Sequence, residues 1–169
     1  MRLLAKHLKP DVVLSHDDWG SKDNLFFPPG IWRTFFKEHY RRIYNYAKDN
    51  GIVVIHHSDS YCQPIAPDMA EIGVDIWQGV LPSNDIVAMQ EDPEVDLVLM
   101  GGIDSIIDSE DQTDEKIRAE VRRACETYAP GGRFIPSLTS GLKNAGIYPL
   151  TDKIIDDEID RFNQENYSV

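Results

Sequence analysis

The chain has 169 residues, 41% hydrophobic and 27% charged, a balance that suits one globular domain with a sizeable core. Seventeen Lys and Arg against 29 Asp and Glu leave a formal charge of −12, which argues against a surface made to neutralise nucleic-acid phosphates or anionic lipid. No apolar stretch approaches the ~20 residues that cross a bilayer, and the first ten residues lack the continuous apolar segment and cleavage site of a secretory signal, so a cytoplasmic location is the default expectation.

In chain order, five short apolar runs read as strands: Val12–Ser15, Ile52–His56, Val74–Trp77, Leu97–Met100 and Phe134–Pro136. Continuous rather than alternating apolarity fits strands buried on both faces, as in a parallel sheet or barrel. Between the first two, Trp32, Phe35, Phe36, Tyr40, Ile43, Tyr44 and Ala47 recur at helical spacing and the pattern ends at Asn50-Gly51, a helix stop. This aromatic stripe reads as core packing rather than a cofactor box. Pro64, Ile65, Met69 and Ile72 fit a short helix closed by Gly73. Ser83 or Asn84 can cap another that carries Ile86, Val87 and Met89. Thr113 can cap a longer helix with Asp114 and Glu115 in its first turn, where the helix dipole favours negative charge, and with Ile117, Val121, Ala124 and Tyr128 on its buried stripe. Thr151 is expected to cap a last helix with Ile154, Ile155, Ile159 and Phe162 on one face. Cys62 and Cys125 are far apart, show no CxxC spacing and read as small core residues.

This alternation of strand and helix is accepted by an open doubly wound sheet and by a stretch of a (β/α)₈ barrel. No Gly-rich phosphate loop follows any strand, which weighs against a nucleotide-binding open sheet. Polar residues gather just past the strands, where parallel α/β proteins place their sites. Asp17 and Asp18 follow the first strand, and because neighbours in an extended chain point to opposite sides, one of them is expected to face the pocket and the other to serve a turn. The same rule splits His56 and His57 into a satisfied core histidine and a pocket histidine. Asp59, two residues after His57, falls on the same side and makes His57-x-Asp59 a candidate metal-binding or proton-transfer pair. Two ligands are too few for zinc. Gln78 reads as a hydrogen-bonder, and Asp104 after Gly101-Gly102 as a turn residue or a second carboxylate.

Asp17-Asp18-Trp19-Gly20, Pro29-Gly30-Ile31-Trp32-Arg33-Thr34-Phe35-Phe36-Lys37, His57-Ser58-Asp59, Ile72-Gly73-Val74-Asp75, Gly101-Gly102-Ile103-Asp104 and Ala129-Pro130-Gly131-Gly132-Arg133-Phe134-Ile135 occur in an order that resembles the C-terminal half of the uroporphyrinogen decarboxylase superfamily. The resemblance runs from about Leu14 to the last helix and implies an α/β fold, the parallel (β/α)₈ TIM barrel. About five βα units are present over residues 1–169 and roughly three N-terminal units absent, against ~250 residues for a full barrel. It implies either decarboxylation of uroporphyrinogen III or methyl transfer between a corrinoid protein and a thiol or other acceptor. In the methyltransferase branch a His-x-Cys pair and a later Cys hold zinc. Here His57 is kept, while Asp59 and Ser140 stand in place of the thiolates, so a soft site has become a hard one and zinc is weakened. In the decarboxylase branch the last strand end is Gly-His-Gly, where this chain has Thr139-Ser140-Gly141.

The expectation is thus a member acting on a tetrapyrrole-linked substrate, with methyl transfer placed ahead of decarboxylation. His57 is expected to be a metal ligand or proton donor and Asp59 its partner. Asp17 or Asp18 would orient substrate or act as base, Asp104 would be a second carboxylate, and Trp19, Gln78 and Ser140 would contact substrate. A divalent metal at His57, Asp59 and Ser140, a corrinoid protein or a porphyrinogen as partner, and a second chain that completes the barrel are the implied company. An inert, partner-dependent barrel half is the competing expectation.

Overall fold

The computed structural model describes residues 1–109, 111–138 and 149–167. After a π-helical turn at Leu4–Leu8, strand β1 (Val12–His16) leads to a helical stretch made of α1 (Pro29–Trp32), a π turn (Arg33–Lys37) and α2 (Glu38–Asp49). Then follow β2 (Val53–His57), a 3₁₀ turn (Gln63–Ile65), α3 (Ala66–Glu71), β3 (Ile76–Val80), α4 (Ile86–Glu91), β4 (Val98–Ile103), a 3₁₀ turn (Ser105–Ile107), α5 (Asp114–Tyr128), β5 (Phe134–Leu138) and α6 (Pro149–Asn166). The five strands form one sheet in the order β1-β2-β3-β4-β5, every pair parallel. A doubly wound sheet reverses its strand order at a switch point. This order never reverses, so the arrangement is an arc of a (β/α) barrel with five strands.

The two faces of the arc differ. Val54, His56, Trp77 and Leu99 are buried, and they contribute to a core made with Trp32, Tyr44, Ala47, Ile65, Met69, Ile72, Ile86, Ile117 and Val121 from the helices and the turn before α3. The alternate residues Val12, Leu14, Val53 and Ile135 are exposed although apolar, with 46% of Val12 and 42% of Leu14 open to solvent. Alternation along a strand puts these on the opposite, concave face, which a closed barrel fills with side chains. The run of continuous apolarity in the sequence therefore encodes a sheet with two apolar faces, only one of which is covered here.

Several expectations are refined. The seam of the first helical stretch runs through Trp32, Phe36, Tyr40, Tyr44 and Ala47, while Phe35 is 62% and Ile43 44% exposed. The π turn explains this: its wider winding keeps residues four apart in line, and Phe35 and Ile43 lie one residue off that line. Asp85, not Ser83 or Asn84, caps α4, its carboxylate accepting from the Ala88 N–H at 3.1 Å. Asn84 is buried and bonds the backbone N–H groups of Cys62 and Gln63 instead. Thr151 lies inside α6 and is buried, because the helix begins at Pro149, whose fixed φ suits a first turn. Thr113 caps α5 as expected, and Ile117, Val121, Ala124 and Tyr128 form its buried face.

β3 and β4 shift register between Gln78 and Val80, and Gly101 sits opposite that shift with φ +154°. A Cβ there would lie 2.5 Å from the Val80 carbonyl oxygen and 2.7 Å from its nitrogen. Gly101→Ala is expected to lower stability by at least about 2 kcal/mol, from backbone strain and the clash together. Gly30→Ala, where a Cβ meets nothing within 4 Å, is the control, expected to be neutral or to stabilise by up to ~1 kcal/mol. Urea midpoints of the two variants check this, and equal midpoints would contradict it.

Candidate active site

The strand register builds the site. His16, the last residue of β1, pairs with His57, the last of β2; His57 pairs with Gln78 of β3, Gln78 with Met100 of β4, and Met100 with Ile135 of β5. One row of side chains thus crosses the concave face near the C-terminal strand ends, the edge where barrels of this kind hold substrates. The polar members are concentrated on β1 to β3.

The two adjacent imidazoles divide as alternation requires. His56 is fully buried toward α2, with Nδ1 2.7 Å from the Tyr44 hydroxyl and Nε2 3.0 Å from the Asp17 carbonyl oxygen. A carbonyl only accepts, so Nε2 carries the proton and Nδ1 accepts from the tyrosine. The Trp19 ring stacks on this imidazole at 3.9 Å and meets Trp32 and Tyr40 edge-on, both at 4.9 Å. Burial first, then the neighbouring imidazoles His57 and His16, lowers the His56 pKa to about 3 despite the opposing Asp17 carbonyl. Burial likewise pushes Tyr44 up to about 12, and burial with the Asp17 carboxylate raises Tyr40. His56 is therefore a neutral structural group.

His57 faces the other way. It is buried but for 7% of its surface, its Nδ1 is hydrogen-bonded to the Gln78 side-chain oxygen, and its ring meets that of His16 edge-on at 4.3 Å. An amide oxygen accepts, so the proton sits on Nδ1 and the Nε2 lone pair is left available. Asp18, two residues after His16, places Oδ2 3.7 Å from His16 Nε2, while its Oδ1 is buried with no hydrogen-bond partner. His16, Asp18 and His57 each offer one ligand atom, and these atoms lie within 4.8 Å of one another; among the described residues this is the one such group.

The expected site residues divide accordingly. Asp18 and His57 come together, and Gln78 supports His57. Asp17 turns outward to accept from Tyr40 and lends its carbonyl to His56. Trp19 is buried in the aromatic cluster. Asp104 is exposed and caps the 3₁₀ turn after β4, its carboxylate accepting from the Ile106 N–H at 3.0 Å and its own N–H donating to Glu120 at 2.8 Å. Asp59 is half-buried and is not a member of the His16, Asp18 and His57 group. Ser140 lies outside the described residues. His16 was not among the expected site residues; the signal for it is its place as the last residue of a strand, level with His57 once the two strands are in register.

Comparison with known proteins agrees with this architecture. A methyltransferase from Methanosarcina mazei superposes with a TM-score of 0.66 at 25% identity, over 90% of this chain and 42% of that one. The chain thus spans less than half the length of that solved structure. Among curated proteins none matches. The sequence model of uroporphyrinogen decarboxylase matches residues 10–150, which include all five strands and both histidines of the row. The chain therefore belongs to the uroporphyrinogen decarboxylase family.

Proposed function

We propose that this chain supplies the strand-end site of a barrel that transfers a methyl group from a methylcorrinoid, carried by a partner protein, to a thiol or other acceptor. The observation that carries this reading is the likeness to a methyltransferase along 90% of the chain. The strand-end chemistry suits it. An acceptor must shed its proton before its lone pair can attack the methyl carbon, and the electron pair of the broken bond then stays with the corrinoid. His57 presents an Nε2 lone pair fixed by Gln78, and Asp18 places a carboxylate beside it. These groups favour proton loss from the acceptor, with His57 acting as base or as ligand. A corrinoid would approach from the C-terminal strand ends, where this row of side chains lies, because the apolar face below it, with Leu14, Val53 and Ile135, is the part a closed barrel fills with its own side chains.

The zinc thiolate set implied for methyltransferases of this superfamily does not fit these residues. Asp59 and Ser140 replace its sulfurs, and the described group at His57 contains neither. Completion of the barrel by further βα units or a second chain, and a cytoplasmic location, belong to this proposal. Among the described residues no helix is long and apolar enough to cross a membrane.

The test is an assay of the assembled protein with methylcobalamin and a thiol, following the loss of methylcobalamin absorbance and the methylated thiol by mass spectrometry. A parallel assay offers uroporphyrinogen III and counts the carboxyl groups of the product. Stoichiometric methyl transfer with uroporphyrinogen untouched is expected. Decarboxylation, or inertness toward both, would overturn the reading.

A further inference from the structure

The geometry points to a divalent cation site formed by His16, Asp18 and His57, a first-row transition metal held by two imidazoles and one carboxylate at the ends of β1 and β2. This deepens the functional reading above and rests on it only for the identity of the pocket. It assigns a ligand set different from the His57, Asp59 and Ser140 set that family resemblance alone would suggest.

Four observations converge. His16 and His57 are register partners on adjacent parallel strands, so their side chains leave the same face one strand spacing apart. Asp18 follows His16 by two residues, just past the strand end, and its Oδ2 lies 3.7 Å from His16 Nε2. The three donor atoms already lie within 4.8 Å of one another. Nitrogen and carboxylate ligands sit about 2.0–2.2 Å from such an ion, so donors around a tetrahedral one are roughly 3.4 Å apart. The remaining contraction of an ångström or so falls on His16, the most exposed of the three, with 63% of its side chain open to solvent.

The surroundings match what a ligand set requires. Gln78 takes the Nδ1–H of His57 and so aims the Nε2 lone pair, the outer-shell arrangement seen around metal-bound histidines. Asp18 Oδ1 is a buried acceptor without a partner, a costly group to leave unsatisfied. Two imidazoles and a carboxylate are of intermediate hardness, suited to zinc, cobalt or iron, and three protein ligands leave a position open for water or substrate. On this assignment His57 is a ligand rather than a base, and polarisation by the cation lowers the acceptor's pKa.

The test is titration of the intact chain with Co²⁺, read by its ligand-field absorption, and with Zn²⁺ by equilibrium dialysis. One equivalent per chain is expected. His16→Ala and His57→Ala should each weaken binding at least tenfold, and Gln78→Leu by about 10-fold through the lost orientation of His57. Asp59→Ala should bind within about threefold of the wild type. His16 is solvent-exposed, so its substitution leaves the fold intact, and far-ultraviolet circular dichroism checks that. Loss of binding in Asp59→Ala with retention in His16→Ala would overturn the assignment in favour of the His57-x-Asp59 pair, and so would absence of saturable binding in the wild type. These readouts are independent of turnover: a chain that binds Co²⁺ as described but transfers no methyl group refutes the proposed reaction and leaves the site standing.

Discussion

Lowering the pH from 6.5 to 4.5 is expected to cost the protein about 2 kcal/mol of folding stability through His56 alone. In the fold this imidazole is neutral, stacked under Trp19, with Tyr44 donating to Nδ1 and Nε2 donating to the Asp17 carbonyl. A proton on Nδ1 would face the Tyr44 oxygen with the hydrogen bond reversed and a charge in the core. The folded pKa of about 3 lies below the ordinary value of 6.5, so between the two the unfolded chain binds the extra proton. Stability from this group is complete well above pH 6.5 and falls as the pH is lowered through that value, the slope steepening to about 1.4 kcal/mol per unit until the folded group titrates. His56→Gln can still accept from Tyr44 and donate to Asp17 without titrating. Urea midpoints across pH 7 to 4.5 should therefore slope less steeply in His56→Gln than in the wild type, and parallel slopes would refute the account.

Asp68→Ala is expected to destabilise by about 3 kcal/mol, lowering Tm by roughly 6–12 °C for a chain of this size. Asp68 is buried on α3 and accepts from Arg33 Nε at 2.9 Å and from Lys37 Nζ at 2.6 Å, joining the first helical stretch to the next βα unit. Burial works against its charge, but the hydrogen bonds and charges of Arg33 and Lys37 prevail and hold its pKa below the usual carboxylate value. Removing it takes the buried carboxylate from both Arg33 and Lys37 and leaves Lys37, whose side chain is only 13% exposed, with the half-exposed Glu71 alone. Glu71 also binds Lys37 and Arg41 but is half in solvent, and Glu71→Ala should cost under about 1 kcal/mol. Thermal melts of the two variants separate a buried pair from a surface one; equal shifts would show that Asp68 contributes no more than its exposed neighbour.

The same physics decides what can be read from the residues. The five strands and their helices stand out because each apolar run is short, β-rich and bounded by Gly, Asp or Pro, and edges shift by only one or two residues in most cases. The division of His56 and His57 follows from the two-residue period of a strand. The cation triad does not, because His16 becomes a neighbour of His57 only through a register set 41 residues away by packing. Asp59 is attractive in the sequence for being two residues from His57, yet the chain leaves the strand at His57, and the alternation rule lapses with it. Thr151 and Ser83 look like caps because Ser and Thr so often are; Pro149 and Asp85 take the helix starts instead.

The strict sequential order of the strands has a consequence for how such a chain is made. Among the described residues, every strand pairs only with the strands next to it in sequence. Each new unit emerging from a ribosome finds its template already in place, so the arc can grow in the direction of synthesis without waiting for distant segments, as in repeat proteins whose modules contact only their neighbours.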